Sequence, residues 1–108
     1  MKGNTKMKKI LNEKMYDTNT ATLIAEYSYS NIRDFHHFHE ELYQKKTGEF
    51  FIYGYGGCMS SYSVPCGSNN WSGSENIRPI TETEVKEWLC DYDIDAEVYI
   101  SLFGEPEE

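Results

Sequence analysis

Apolar side chains recur along this chain with two different periods, and each stretch of constant period predicts an element. Residues 9–16 carry a brief alternation broken at Asn12-Glu13 and read as a tiny hairpin. Behind Asp17 and Thr18, either of which can cap a helix, Ala21, Ile24, Ala25 and Tyr27 make a narrow apolar stripe at helical spacing. The stripe predicts a helix over residues 18–27 lying on a sheet by one face, with residues 28–33 as the connecting loop. From there the period falls to two. Residues 34–44 and 49–55 read as strands joined by Lys45-Lys46-Thr47-Gly48, a four-residue connection bearing glycine, of the kind that makes hairpins. Alternation places His36, Phe38, Glu40 and Leu42 on one face of the first strand and Phe35, His37, His39, Glu41 and Tyr43 on the other. Phe51, Tyr53 and Tyr55 share one face of the second strand, Phe50 and Ile52 the opposite one. Aromatics on both faces imply that both are at least partly covered.

The period is lost between Gly54-Tyr55-Gly56-Gly57 and the run from Gly67 to Ser74, an uncharged stretch rich in Ser, Tyr and Asn that predicts an irregular loop. Residues 77–80 are short and extended, kept so by Pro79. Thr81-x-x-Glu84 is a capping box with Ile80 and Val85 at the staple positions, and Val85, Trp88, Leu89 and Tyr92 follow at helical spacing. A last short helix is capped by Asp95, shows Val98, Tyr99, Leu102 and Phe103 on one side, and stops at Gly104 and Pro106. The predicted fold is α+β: a small, mainly antiparallel sheet of three to four strands centred on the 34–55 hairpin, with one N-terminal helix and two C-terminal helices packed against it.

Composition narrows the class. At 108 residues the chain is one domain, residues 1–108, and 39% hydrophobic with 15% aromatic residues is globular rather than disordered, so much of the core must be aromatic. Residues 1–8 are expected to be a flexible basic lead-in and residues 104–108 an acidic tail. No apolar run approaches the ~20 residues of a bilayer span, and the lysines near the start have no apolar segment behind them, so the expected location is cytoplasmic. Three cysteines, Cys58, Cys66 and Cys90, are an odd number without a secretory signal and are expected to be reduced.

Charge is distributed unevenly. Residues 1–50 carry eight basic and seven acidic side chains, residues 51–74 carry none, and residues 75–108 carry two basic and eleven acidic. A field of that sign repels phosphate, which argues against direct nucleic-acid binding and for a basic protein partner. Glu84 and Asp95 are explained by capping, whereas Glu87, Asp91, Asp93 and Glu97 have no such local reason and are the candidate partner-binding carboxylates. Tyr55, Tyr62 and Trp71, in or beside the uncharged loop, are candidate aromatic anchors.

Two constellations bear on chemistry. His37 and His39, on one face of the predicted strand, could share a zinc ion with Cys58 and Cys66, a set of nitrogen and sulfur donors that suits that metal. No CxxC or HExxH spacing supports it, and half-buried strand histidines with Cys90 as a small buried hydrophobe account for the same residues. A hydrolase or nuclease using His36, His37 or His39 with a serine lacks any strand-elbow-helix motif, and the glycines at 54–57 are not followed by the Lys-Ser/Thr of a phosphate loop.

Taken together, Lys14-Met15-Tyr16-Asp17-Thr18, Thr20-Ala21-Thr22, Asp34-Phe35, Glu41-Leu42-Tyr43, Lys46, Gly48, Phe51, Tyr53-Gly54-Tyr55-Gly56-Gly57, Trp71-Ser72-Gly73 and Ile80-Thr81-Glu82 resemble a family of small proteins of phages and conjugative elements of low-GC Gram-positive bacteria. The resemblance covers most of residues 8–95, and part of that family is associated with anti-CRISPR proteins that inhibit the type II, single-protein effector nuclease. Family members read Gly-Glu-Gly-Gly-Pro where this chain has Gly54-Tyr55-Gly56-Gly57-Cys58, and they lack most of the histidines, so a metal site would be local to this chain. The resemblance implies a non-enzymatic inhibitor, a DNA mimic in charge, whose acidic surface docks on the basic groove of the nuclease in the bacterial cytoplasm and hinders guide or target loading. The alternative is a small zinc-stabilised interaction domain acting on another host-defence or regulatory protein.

Overall fold

Segments before and after it in the sequence pack against the hairpin of residues 38–56. The computed structural model describes residues 7–31, 33–68 and 70–107; most of the expected lead-in, and the last residue of the expected tail, lie outside them. The elements are β1 (Lys8–Leu11), β2 (Lys14–Asp17), β3 (Thr22–Tyr29), β4 (Phe38–Gln44), β5 (Phe50–Gly56), β6 (Val64–Pro65), β7 (Trp71–Ser72), β8 (Ser74–Ile80), α1 (Glu82–Asp91) and α2 (Ala96–Phe103). The fold is α+β, with an antiparallel four-stranded sheet in the order β3-β4-β5-β8 and two separate two-stranded ribbons, β1-β2 and β6-β7.

Residues 18–27 are not helical. Asp17 does cap a local turn, its carboxylate accepting from the Asn19 amide at 2.8 Å and its carbonyl from Ala21 at 3.2 Å, but the chain then runs straight into β3. The helical stripe was produced by a bulge. Leu23 pairs with Tyr43 and Ala25 with Leu42, so Ile24 is an extra residue in β3, and Ile24, Ala25 and Tyr27 all reach the same core. One inserted residue converts a period of two into the spacing of a helix. A single strand, β3, therefore takes the place of the expected N-terminal helix, and the two helices are both C-terminal.

The first long strand is also shorter than residues 34–44. The Asp34 carboxylate accepts from the His36 amide at 2.8 Å and its carbonyl accepts from the His37 amide at 3.0 Å, which makes residues 34–37 a turn and starts β4 at Phe38. His36 and His37 thus leave the strand on which alternation had placed them. The remaining boundaries shift by a residue or two, except that β8 starts three residues earlier than its predicted strand. Asn12 and Glu13 turn the first hairpin with φ of 51° and 64°, the left-handed pair that a two-residue connection demands.

Both faces of the sheet are covered. On one, Leu42, Phe50 and Ile52 meet Val85, Trp88 and Leu89 of α1, and α2 closes over them with Leu102 and Phe103. On the other, the β1-β2 hairpin lays Tyr16 edge-on against Phe51 at 5.6 Å, beside Tyr43 stacked on Phe51 at 5.2 Å. Lys14 ties that hairpin to the β4-β5 turn through Glu49 at 2.7 Å, and Lys45, itself 3.1 Å from Glu49, lies over the Tyr16 ring at 4.2 Å. The two cations push the exposed Glu49 carboxyl down to about 2. α1 begins where its capping box places it, with Glu84 amide to Thr81 Oγ1 at 3.1 Å and Thr81 amide to Glu84 Oε1 at 2.9 Å. The central sheet therefore offers alternate residues of β4 to two different environments.

Gly54, in the middle of β5, has no room for a side chain, because a Cβ there would overlap the Tyr62 hydroxyl and the ring carbon bearing it. Gly48 is different: it turns the hairpin at φ +97° into open space. Gly54→Ala is expected to lower stability by ~2 kcal/mol or more by displacing Tyr62, and Gly48→Ala by only ~1 kcal/mol for its backbone angle. Urea denaturation of both variants checks the order. A Gly54→Ala protein as stable as the parent would contradict the close approach.

Candidate functional site

The acidic segment and the buried Glu40 meet at α1. Glu82, Glu84, Glu87, Asp91, Asp93, Asp95 and Glu97 are all exposed. Of the two cations in residues 75–108, Lys86 lies 3.7 Å from Glu82 and over the Phe103 ring, and Arg78 is 3.4 Å from Glu40. Glu87, Asp91, Asp93 and Glu97 have no ion-pair partner among the described residues. Glu84, Glu87 and Asp91 flank a shallow groove of about 210 Å³ floored by Arg78, Ile80, Trp88 and Tyr92. Asp93 lies at the turn between the helices, on the rim of a larger apolar hollow that includes Leu89, Ile94, Tyr99 and Ile100. Glu97 stands in the first turn of α2.

Beneath the groove sits Glu40. It is 4% exposed, and four donors surround its carboxylate: Trp88 Nε1 at 2.9 Å and Tyr92 Oη at 3.1 Å on Oε1, Tyr62 Oη at 2.5 Å and Arg78 at 3.4 Å on Oε2. Burial pushes the carboxyl up, but the hydrogen bonds from Tyr62 and Trp88, the Arg78 charge and the Tyr92 hydroxyl together outweigh it and hold the group below the ordinary carboxylate range. The reverse holds for the donors. Burial and the Glu40 charge push Tyr92 up to about 12 and raise Tyr62 as well. This cluster ties β4, β8, α1 and the 57–73 connection to one negative charge, and it fixes the base of the acidic groove.

The opposite face of β4 carries the second constellation. His39 and Glu41 point away from the helices, and the His39 ring is held on both sides, Nδ1 by Ser28 Oγ at 2.5 Å and Nε2 by Glu41 Oε2 at 2.8 Å. An ionised carboxylate can only accept, so Nε2 carries a proton, and in the neutral ring Nδ1 then accepts from the Ser28 hydroxyl. Glu41 Oε1 accepts from Tyr43 Oη at 2.6 Å, and Glu26 Oε1 stands 3.7 Å from the same Nε2. Among the described residues, Glu26, His39 and Glu41 are the group of His, Cys, Asp or Glu side chains whose ligand atoms converge within 4.8 Å.

The predicted zinc donors are not brought together. His37 sits in the 34–37 turn with Nδ1 2.7 Å from the Asp34 carbonyl, Cys58 is half-buried, Cys66 is exposed, and of the four only His39 belongs to the converging group. Cys90, expected to be buried, is exposed on α1. Of the three aromatic anchors, Trp71 at 58% and Tyr55 at 40% exposure remain available, with Tyr55 over His39 at 5.2 Å. Tyr62 does not: it is buried at 9% because its hydroxyl is bound to Glu40. The signal for that was present in the sequence, since a glycine inside a strand marks a place where another group comes close. No helix of the described residues is long and apolar enough to cross a membrane. Compared with protein-family models, curated proteins and solved structures, the chain matches none.

Glu40→Gln keeps the shape but removes the charge and turns an amide NH₂ toward donors. It is expected to cost ~3 kcal/mol at neutral pH, measured by urea denaturation. Because the folded carboxyl is held below the ordinary glutamate value of 4.5, its contribution is complete above that pH and disappears as the pH falls through the folded value. The stability gap between parent and variant should therefore close in acid. A gap that is constant from pH 7 to 3 would contradict the charged hub.

Proposed function

We propose that this protein is a stoichiometric, non-enzymatic inhibitor that binds a basic groove of a type II RNA-guided effector nuclease through its acidic C-terminal surface. The observation that supports this most is the set of exposed carboxylates Glu87, Asp91, Asp93 and Glu97, which no cation of the described residues pairs with. Of the segment's two cations, Lys86 pairs with Glu82 and Arg78 with Glu40, so the excess of eleven acidic over two basic side chains is left largely unbalanced and the outward field is negative. Such nucleases hold the guide–target heteroduplex in a positively charged channel, and a protein presenting carboxylates there competes for the same charges. Rigid placement matters as much as sign. α1 is fixed at its start by the capping box and at Trp88 and Tyr92 by Glu40, so its carboxylates are presented with little ordering cost on binding. The family resemblance agrees with this reading in kind of target, and Trp71 and Tyr55 provide exposed aromatic surface elsewhere on the molecule.

The test is a titration of the protein into target-DNA cleavage by a guide-loaded type II nuclease. Inhibition should saturate near one equivalent and weaken as ionic strength rises. The combined variant Glu87→Lys, Asp91→Lys, Asp93→Lys, Glu97→Lys should lose inhibition while melting as a folded protein, since none of the four is buried. Unchanged inhibition by that variant would discard the acidic-surface mechanism, and complete inactivation by far less than one equivalent would make the protein an enzyme.

A further inference from the structure

Glu26 of β3 and Glu41 of β4 stand directly opposite each other across the sheet. Like charges in that position repel, and such a pair persists where something positive lies between. What lies between is His39 Nε2, at 2.8 Å from Glu41 and 3.7 Å from Glu26. A single ring proton reaches only one of the two carboxylates. Glu26, 57% exposed, has no other ion-pair partner among the described residues.

We propose that Glu26, His39 and Glu41 form a binding site for a divalent transition-metal ion of the zinc class. The donor set, one imidazole and two carboxylates, matches that ion, and three protein ligands leave a fourth position open to water or to a partner's ligand. In a tetrahedral zinc site with bonds of ~2.0–2.2 Å, neighbouring donors lie ~3.4 Å apart. The two separations from Nε2 bracket that value, so small side-chain rotations complete the site. Each inner ligand is already oriented through its other atom, His39 by Ser28 at Nδ1 and Glu41 by Tyr43 at Oε1, the outer support that metal sites require. On binding, the neutral ring changes tautomer: the Nε2 proton leaves to solvent, Nδ1 takes one proton from solvent and donates it to Ser28 Oγ, and no net proton is released from the ring. Magnesium and calcium, which need more oxygen donors, do not fit. The site lies across the sheet from the acidic groove and does not depend on the inhibitor reading.

The experiment is isothermal titration of the EDTA-treated full chain with Zn²⁺ and, separately, Mg²⁺, with Co²⁺ absorption as a second readout. One equivalent of Zn²⁺ should bind saturably, Mg²⁺ should not compete, and Co²⁺ should give a spectrum without a thiolate charge-transfer band. Glu26→Gln, at an exposed position outside both cores, should weaken Zn²⁺ binding at least roughly tenfold without unfolding the chain, and Cys58→Ser with Cys66→Ser should leave it unchanged. The proposal is overturned by absence of saturable Zn²⁺ binding, by equal affinity in Glu26→Gln, by loss in the cysteine variant, or by Mg²⁺ binding as well as Zn²⁺.

Discussion

A carboxylate taken out of water destabilises a fold unless it is fully answered, and Glu40 is answered by four donors from three different parts of the chain. That requirement organises the structure. Trp88 and Tyr92 must face the sheet, which sets the rotation of α1. Tyr62 must lie over Gly54, which sets the path of the long connection between β5 and β8. Arg78 must aim its guanidinium at Glu40 from the floor of the groove, where its side chain stays half exposed. The groove stays acidic because its one lining cation, Arg78, bonds Glu40 from the floor while three carboxylates, Glu84, Glu87 and Asp91, stand around it.

Adjacent residues of one strand carry the two constellations. Glu40 faces the helices and Glu41 the opposite side, as pleating demands. On the helix side the carboxylate meets indole, phenol and guanidinium donors and is structural. On the other side it meets an imidazole and a second carboxylate, with solvent within reach, and is suited to holding a cation. The β1-β2 hairpin covers the Phe51 end of that face and leaves the His39 end to Tyr55 and Ser28. The molecule therefore has a rigid negative surface on one side and a small polar cluster on the other, joined through β4.

The C-terminal third was legible in the sequence because its signals are local. The capping box at Thr81, the stripe from Val85 to Tyr92 and the Asp95 cap each act within a few residues, and all three stand in the structure. The 38–56 hairpin was legible for the same reason. β3 was not, because the bulge at Ile24 gives a strand the apolar spacing of a helix, and with it went the chance to pair Glu26 with Glu41. The Glu40 hub was hidden for another reason. Its donors lie 22 to 52 residues away in sequence, and nothing local distinguishes a glutamate that will be buried from one that will be solvated. His39 and Glu41 were placed on one face by alternation alone, whereas the turn at Asp34 took His36 and His37 out of register. The four carboxylates proposed to meet a partner were found by elimination, as acids without a cap to serve, and they are exposed.

Which surface meets a partner is the central claim, and hydrogen–deuterium exchange of this chain with and without a guide-loaded type II effector nuclease tests it most directly. The account expects new protection at the exposed amides of residues 82–97, with β3 and the His39 end of β5 unchanged. Protection confined to residues 22–29 and 53–56, with the acidic helices exchanging as in the free protein, would contradict it.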